Sequence, residues 1–436
     1  MTQDLKDLVL VCSTATGGIS NMDSFFKLFF HKLNYKKMKT KEGNFCVYYD
    51  GIIEAYLSLI FGSAAVAALA SVFLYKKLGR RWPLLLGFGS LLLGSLLSSS
   101  TKVLWILFIG RIITGIGIGI VSQVVPVYSS ESASTDFTKK LDFIYKFFYG
   151  IGTPLGLMVN LFMANVKWGW RICFAIPGVL AIPPFLISIF AHDTPMYYIE
   201  MKNFRKARRE FIRTRGDGFD SEFEQLKEES QGAWGSLEYV FRRQCLPYLV
   251  INGVREICLQ ISGMFAISFF LPTLLMKFNI PRSTSYFAPT VLETVNFAMS
   301  LIVSVLLLKG HYSVLYPTRS EAYRFFGFLL ACSIGYGVTS SEWIEVEFPR
   351  RASSAAGPMM AGISFSIMLV MTYALLPMIC SMKGGLFVLF TVIVVCMLVF
   401  IYLLVPESSE IPEEEMNEKV WSKHWFWQRY TAPEES

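Results

Sequence analysis

Long apolar blocks separated by short polar stretches dominate this chain. The blocks do not alternate apolar and polar residues, so they are not half-buried strands. Apolar helices are predicted at about 8–20 (short), 52–74, 83–99, 102–128, 143–163, 169–190, 248–277, 285–308, 325–340, 357–380 and 384–405. Roughly 20 mostly apolar residues span a bilayer, and several blocks reach that length. Only helices and closed barrels satisfy their backbone groups in lipid. The blocks far exceed the roughly 10 alternating residues of a barrel strand. The pattern predicts an all-α polytopic membrane protein.

Between the sixth and seventh blocks lies a long polar stretch, 192–247. It contains NFRKARREFIRTRGDGFDSEFEQLKEE, cationic first and acidic later. This reads as short amphipathic helices on a membrane surface. Six helices, a charged linker and a second set is a two-lobe plan found in many transporters. It divides the chain into a first lobe (1–191, with an outer segment 21–50), a linker (192–247), a shortened second lobe (248–405) and a tail (406–436). Orientation follows from the short basic loops. Lys76, Lys77, Arg80 and Arg81 fall between the second and third blocks, and Lys139 and Lys140 follow the fourth. With the Arg-rich linker they belong on one side, the cytoplasmic one. The Lys cluster of the outer segment (Lys32, Lys36, Lys37, Lys39, Lys41) runs against this trend, but the repeated short loops outweigh it.

Composition agrees: the 436 residues are 53% hydrophobic and 17% charged, against about a quarter charged in soluble domains. The net charge of +7 fits a cytoplasmic Lys/Arg excess better than nucleic-acid binding. The opening residues combine a mixed acidic head with a short apolar run, which reads as a shortened first membrane helix, not a cleavable leader. Eight cysteines are scattered without CxxC spacing or a Cys/His cluster, so neither a metal site nor a cofactor is expected.

Two motifs stand out. In KKLGRR (76–81), Gly79 suits a tight turn, and the arginines can pair with carboxylates at neighbouring helix ends. In GRIITGIGIGIVSQVVPVYSSESA (110–133), Gly115, Gly117 and Gly119 allow close helix approach. Arg111 lies near the outer end of that helix, where it either has a partner and a role or snorkels to the interface. Glu131 sits at the inner end, within reach of a loop arginine such as Arg81. Arg80, Arg81 and Glu131 together form a candidate cytoplasmic charge latch.

These motifs, in this order, resemble the signature of sugar porters in the major facilitator superfamily. MDSFFKLFF (22–30), WGWR (168–171), DTP (193–195), QISG (260–263), FPRRASSAA (348–356) and the tail PESSEIPEEEMNEKVWSKHWFW (406–427) resemble segments of the plant sugar transport proteins, which are monosaccharide–proton symporters. The resemblance covers nearly the whole chain. It implies the two-lobed major facilitator fold with 12 membrane helices, of which about 11 are recognisable here. It also implies a disulfide between the outer segment and the loop before the last helix, at Cys46 and Cys380, holding an outer lid. Two free cysteines are the alternative.

Several positions depart from the family pattern. The family's proton-accepting Asp of the first helix, which faces the Arg at Arg111, falls on Cys12. A thiol stays mostly neutral at acidic outer pH and compensates Arg111 poorly. The amides that grip sugar hydroxyls fall on Lys146, Leu259, Gln260, Phe265, Asn296 and Ser364. Gln260 and Asn296 are therefore retained as substrate-binding candidates, with Ser364 a partial substitute. Gln260 and Asn296 can instead make interhelical hydrogen bonds. The second lobe offers about 40 residues between Lys309 and Phe348, where the family has two full helices.

The function implied by the resemblance is hexose transport with inherited proton symport, in the plasma membrane. Its partners are a monosaccharide, protons and the lipid bilayer. An uncoupled facilitator and a non-transporting relative stay open. No nucleophile–base pair, metal cluster or phosphate loop supports an enzyme.

Overall fold

The computed structural model describes residues 22–30, 51–132, 156, 158–163, 166–215, 223–224, 240–261, 350–382, 385–405 and 420–431. The blocks predicted at 8–20, 285–308 and 325–340, and most of 143–163, lie outside these residues. A short helix α1 (Asp23–Phe29) precedes three long ones: α2 (Gly51–Leu78), α3 (Arg81–Ser100) and α4 (Leu104–Ser132). Then come α5 (Gly169–Phe190), the short α6 (Pro195–Glu200) and α7 (Phe204–Arg215). After these follow α8 (Leu246–Ile261), α9 (Arg350–Met382), α10 (Gly385–Leu404) and a final turn α11 (Gln428–Thr431).

Five of the described helical stretches are long and apolar enough to cross a membrane: Gly51–Leu78, Arg81–Ser100, Leu104–Ser129, Gly169–Phe190 and Ala355–Leu375. The chain is an integral multi-pass membrane protein. Large apolar side chains such as Val66, Phe73, Leu96, Trp105, Ile187 and Phe190 stay exposed on the helix surfaces. In water such a surface would be unstable; in a bilayer it is the ordinary lipid-facing side.

Helix α4 is the hub of the first lobe and packs on α2 and α3. Its glycines make this possible. A Cβ on Gly115 would run into the Ile60 carbonyl and one on Gly119 into the Ala64 carbonyl, both on α2. On the other face, a Cβ on Gly117 would lie 2.7 Å from the Gly87 carbonyl of α3. The three glycines thus seat α4 backbone-to-backbone between two neighbours, the small-residue packing of membrane helices. Helix α5 closes on α3, and α9 packs along α2, joining the second helix set to the first. Helix α8 lies against α9 and α10.

Candidate functional site

At one end of the bundle the 76–81 loop is built into a charge cluster. Gly79 takes a left-handed conformation (φ 77°), and its missing side chain leaves room for the Asp193 carboxylate. That carboxylate accepts the backbone N–H groups of Arg80 and Arg81, both at 2.9 Å. The turn so fixed points the Arg80 side chain inward, where it is 1% exposed. Its Nη2 donates to Glu131 at 2.9 Å and to Glu200 at 2.8 Å, and its Nη1 to the other Glu200 oxygen at 3.0 Å. Thr194 donates its hydroxyl to the second Glu131 oxygen. Burial alone would lower the Arg80 pKa, but the Glu131 and Glu200 carboxylates raise it, and the guanidinium stays charged.

Arg80, not Arg81, therefore meets Glu131. The guanidinium of Arg81 instead donates to the Ile189 carbonyl at 2.6 Å. The reason is positional: Arg81 is the first residue of α3 and lies alongside the end of α5. Arg80 is the turn residue facing the gap between α4 and α6. The sequence reading missed Asp193, Thr194 and Glu200. The DTP at 193–195 was visible as a motif, yet only the fold shows that it anchors the turn.

Deep in the first lobe, Arg111 is 2% exposed. It does not snorkel. Its guanidinium carbon lies 4.6 Å from the centroid of the Tyr56 ring and 5.4 Å from that of Phe174. Among the described residues its Nε and Nη2 donate no hydrogen bond. Cation–π attraction of this kind is worth about 2 kcal/mol or more when desolvated, so two rings offset part of the burial cost. Phe25 of α1 rests on the same rings, 6.1 Å from Tyr56 and 6.1 Å from Phe174, and 6.0 Å from Trp170. The short helix α1 thus seats on the aromatic holder of Arg111. Cys12, the position opposite Arg111 by resemblance, lies outside the described residues.

In the second helix set, the Gln260 amide of α8 donates to the Ser364 hydroxyl of α9 at 3.0 Å. Both are buried, at 5% and 0% exposure. The structure brings these two sequence candidates together. Asn296 lies outside the described residues, as do Lys146, Phe265 and Cys46; for Cys380 only the helical backbone is described. Free cysteines among the described residues are Cys173, Cys245, Cys258 and Cys396. No group of three His, Cys, Asp or Glu among them gathers closely enough to hold a metal.

The same helix α8 carries a buried polar set that sequence reading overlooked: Asn252, Arg255 and Glu256. Their signal was the charged pair inside the apolar run VINGVREICLQI, where charge is costly and so seldom incidental. Gln123 on α4 is a further buried amide, donating to Ser122 at 3.0 Å.

Comparison with known proteins decides the family. The model of the Sugar (and other) transporter family matches residues 13–309. The chain belongs to that family. Sugar transport protein 1 of Arabidopsis thaliana is 28% identical to it over 459 residues, covering 95% of this chain and 87% of its own. Sugar transport protein MST4 of Oryza sativa subsp. japonica is 28% identical over 457 residues, covering 95% and 88%. Sugar carrier protein C of Ricinus communis is 27% identical over 464 residues, covering 96% and 88%. The fold matches the major facilitator superfamily proton:xylose symporter XylE bound to 6-bromo-6-deoxy-D-glucose. That match has a TM-score of 0.70, 14% identity, and covers 93% of this chain and 95% of the other. The inward-open conformation of the xylose transporter XylE from E. coli matches with a TM-score of 0.71 and 15% identity, covering 96% and 98%. This sugar-transporter family member therefore has the all-helical major facilitator fold.

Proposed function

We propose that this protein carries a monosaccharide, a hexose in the first instance, across the plasma membrane together with a proton. Transport is by alternating access, the two lobes (1–191 and 248–405) rocking about a central site. The observation that carries the reading is the buried Gln260–Ser364 pair between two membrane helices of a sugar-transporter family chain. An amide and a hydroxyl offer the donors and acceptors that sugar hydroxyls need once they leave water. Asn296 is assigned to the same site by resemblance.

Arg111 is assigned to coupling, with Cys12 opposite it by resemblance. Arg80 and Glu131 form the cytoplasmic latch, with Arg81 bracing the neighbouring helix end. Holding α3, α4 and α6 together at one end stabilises the state in which that end is closed; breaking the pairs frees it. A Cys46–Cys380 disulfide would tie the outer lid (21–50) to the second lobe.

Uptake of labelled glucose and galactose, in cells without hexose carriers of their own, tests the reading. Acidic and neutral outer pH are compared, with surface expression confirmed. Uptake that rises in acid and collapses with a protonophore is the expected result. Uptake indifferent to both means an uncoupled facilitator. No uptake from a surface-expressed protein overturns transport.

A further inference from the structure

We infer that the end of the tail and the turn before α8 together form a binding surface for anionic phospholipid headgroups of the cytoplasmic leaflet. The inference does not depend on what the protein carries; it needs only a chain that sits in a membrane. Residues 420–431 fold back on the second helix set. Trp421 and Trp427 are buried, at 0% and 1% exposure, against Tyr248 and Ile251 of α8. The Trp421 ring meets that of Tyr248 edge-on, with centroids 5.2 Å apart. Two indoles reach the end of α10. Trp427 Nε1 donates to the Leu404 carbonyl at 2.8 Å, and Trp425 Nε1 to the Leu403 carbonyl at 3.3 Å. The last carbonyls of a helix have no partner inside it, so these bonds cap α10 with the tail.

The cap also sets the depth of the tail. Helix α10 carries no charged residue from Gly385 to Leu404, and Pro406 and Glu407 follow directly after Val405. The end of α10 thus marks the edge of the apolar layer, and Trp425 is fixed at that edge. The final turn α11 packs on the short turn Arg243–Cys245 that leads into α8. Two segments far apart in the chain therefore share one surface. That surface borders the 192–247 linker, whose Lys/Arg excess assigns it to the cytoplasm.

What these segments expose is aromatic and cationic. Phe241, Trp425 and Tyr430 are 61%, 59% and 43% exposed. Arg242, Arg243, Lys423 and Arg429 are exposed on the same two segments. Neither 240–246 nor 420–430 contains an Asp or Glu, and the tail's acidic residues, at 407–418 and 434–435, lie outside the described residues. Exposed rings of this size are costly in water but at home among lipid headgroups, where Trp and Tyr concentrate. Cations beside them are drawn to the negative surface of the cytoplasmic leaflet. Arginine suits a phosphate in particular, which it grips with two parallel N–H groups. The rings supply the depth and the cations the choice of headgroup.

The test uses the full-length protein in neutral detergent. Its tryptophan fluorescence is quenched with phosphatidylglycerol or phosphatidylcholine brominated close to the headgroup. The Trp425 component is the difference between wild type and Trp425→Phe. It should be half-quenched at a phosphatidylglycerol fraction at least about fivefold below that of phosphatidylcholine, the equivalent of about 1 kcal/mol, or one Lys or Arg near an anionic surface. Lys423→Gln with Arg429→Gln, and separately Arg242→Gln with Arg243→Gln, should each bring the two lipids close to equal. Arg205→Gln with Arg209→Gln, on the exposed basic face of α7, should leave the preference as in wild type. Equal quenching of wild type by the two lipids overturns the inference, as does a Trp425 component that neither lipid quenches. A preference kept by either pair of variants overturns the joint surface. A loss as large in the α7 variant also overturns it, because net charge would then explain the preference. Displacement of phosphatidylglycerol by millimolar inorganic phosphate would mean a site for free phosphate and overturns the lipid surface. If a variant does not fold, wild type in rising salt decides: a phosphatidylglycerol preference that falls supports the inference, and one that does not change overturns it.

Discussion

Arg80 and Gln260 illustrate two uses of a buried polar side chain in a membrane protein. Arg80 is held by two carboxylates and tuned for bond strength; Gln260 is held by one neutral hydroxyl, a weak bond that a ligand can replace. Replacing Arg80 by Lys removes the bidentate grip on Glu200 while keeping the charge. Breaking a buried pair costs about 3–5 kcal/mol. Arg80→Ala is expected near that figure and Arg80→Lys below it, read as the loss of melting temperature of the purified protein. Gln260→Ala should act differently. It should leave the fold intact but raise the sugar concentration for half-maximal uptake about tenfold, from the roughly 1–3 kcal/mol of an unmet hydroxyl bond. A change in maximal rate alone would place Gln260 in helix packing instead. Sequence had named Arg80 and Glu131 from the motifs at 76–81 and 110–133, and Gln260 and Ser364 only through the resemblance to sugar porters. It could not name the Tyr56 and Phe174 rings around Arg111, since aromatic residues are common in every block and only packing selects two.

Among the elements, the helices whose apolar runs are uninterrupted were legible nearly to the residue. The prediction of 169–190 coincides with α5 and 384–405 nearly with α10. Others run longer than their apolar part. α2 continues through Lys76 and Lys77, whose cations sit well at a helix C-terminus, and α9 begins seven residues early on RRASSAA. Helix formation there depends on backbone propensity and neighbours, not on hydrophobicity, so a hydropathy boundary falls short. The linker reading of short amphipathic helices matches α6 and α7, where Ala207 and Phe211 are buried and most of the basic residues exposed. The turn joining α2 to α3 yields the prediction proper to this scale. An alanine at position 79 would need a left-handed backbone, roughly 1–2 kcal/mol, and would push its Cβ into Asp193. Gly79→Ala should therefore lower the melting temperature and also weaken the Arg80 cluster, so that Gly79→Ala with Arg80→Ala costs less than the two added. Strict additivity in a double-mutant cycle would mean that the turn and the cluster are independent.

For the whole molecule, the two-lobe plan was visible as six apolar blocks, a charged linker and a second set. The seam between the lobes was not, because it depends on which helix faces which. Among the described residues the seam runs along α2 and α9. Gly62 of α2 lies opposite Leu369 of α9, with a Cβ there 3.5 Å from either Leu369 methyl. Gly362 of α9 lies against Leu69 of α2, where a Cβ would sit 2.6 Å from a Leu69 methyl carbon. If the lobes rock, this seam must shear, and small residues on both sides keep it shallow enough to do so. Ala at position 362 meets Cδ2 and Cγ of Leu69 at 2.6 and 2.7 Å, but no backbone atom, so the exposed Leu69 side chain can turn aside and the change should be tolerated. Phe at position 362 must displace the Leu69 side chain and wedge the helices apart. Gly362→Phe is therefore expected to reach the membrane and bind sugar, yet to lose most of its initial uptake rate, with Gly362→Ala close to wild type. Uptake and binding lost together would mean that the wedge unfolds the lobe. Uptake unaffected by Gly362→Phe would mean that transport does not require motion along α2 and α9, and the rocking axis would have to lie elsewhere.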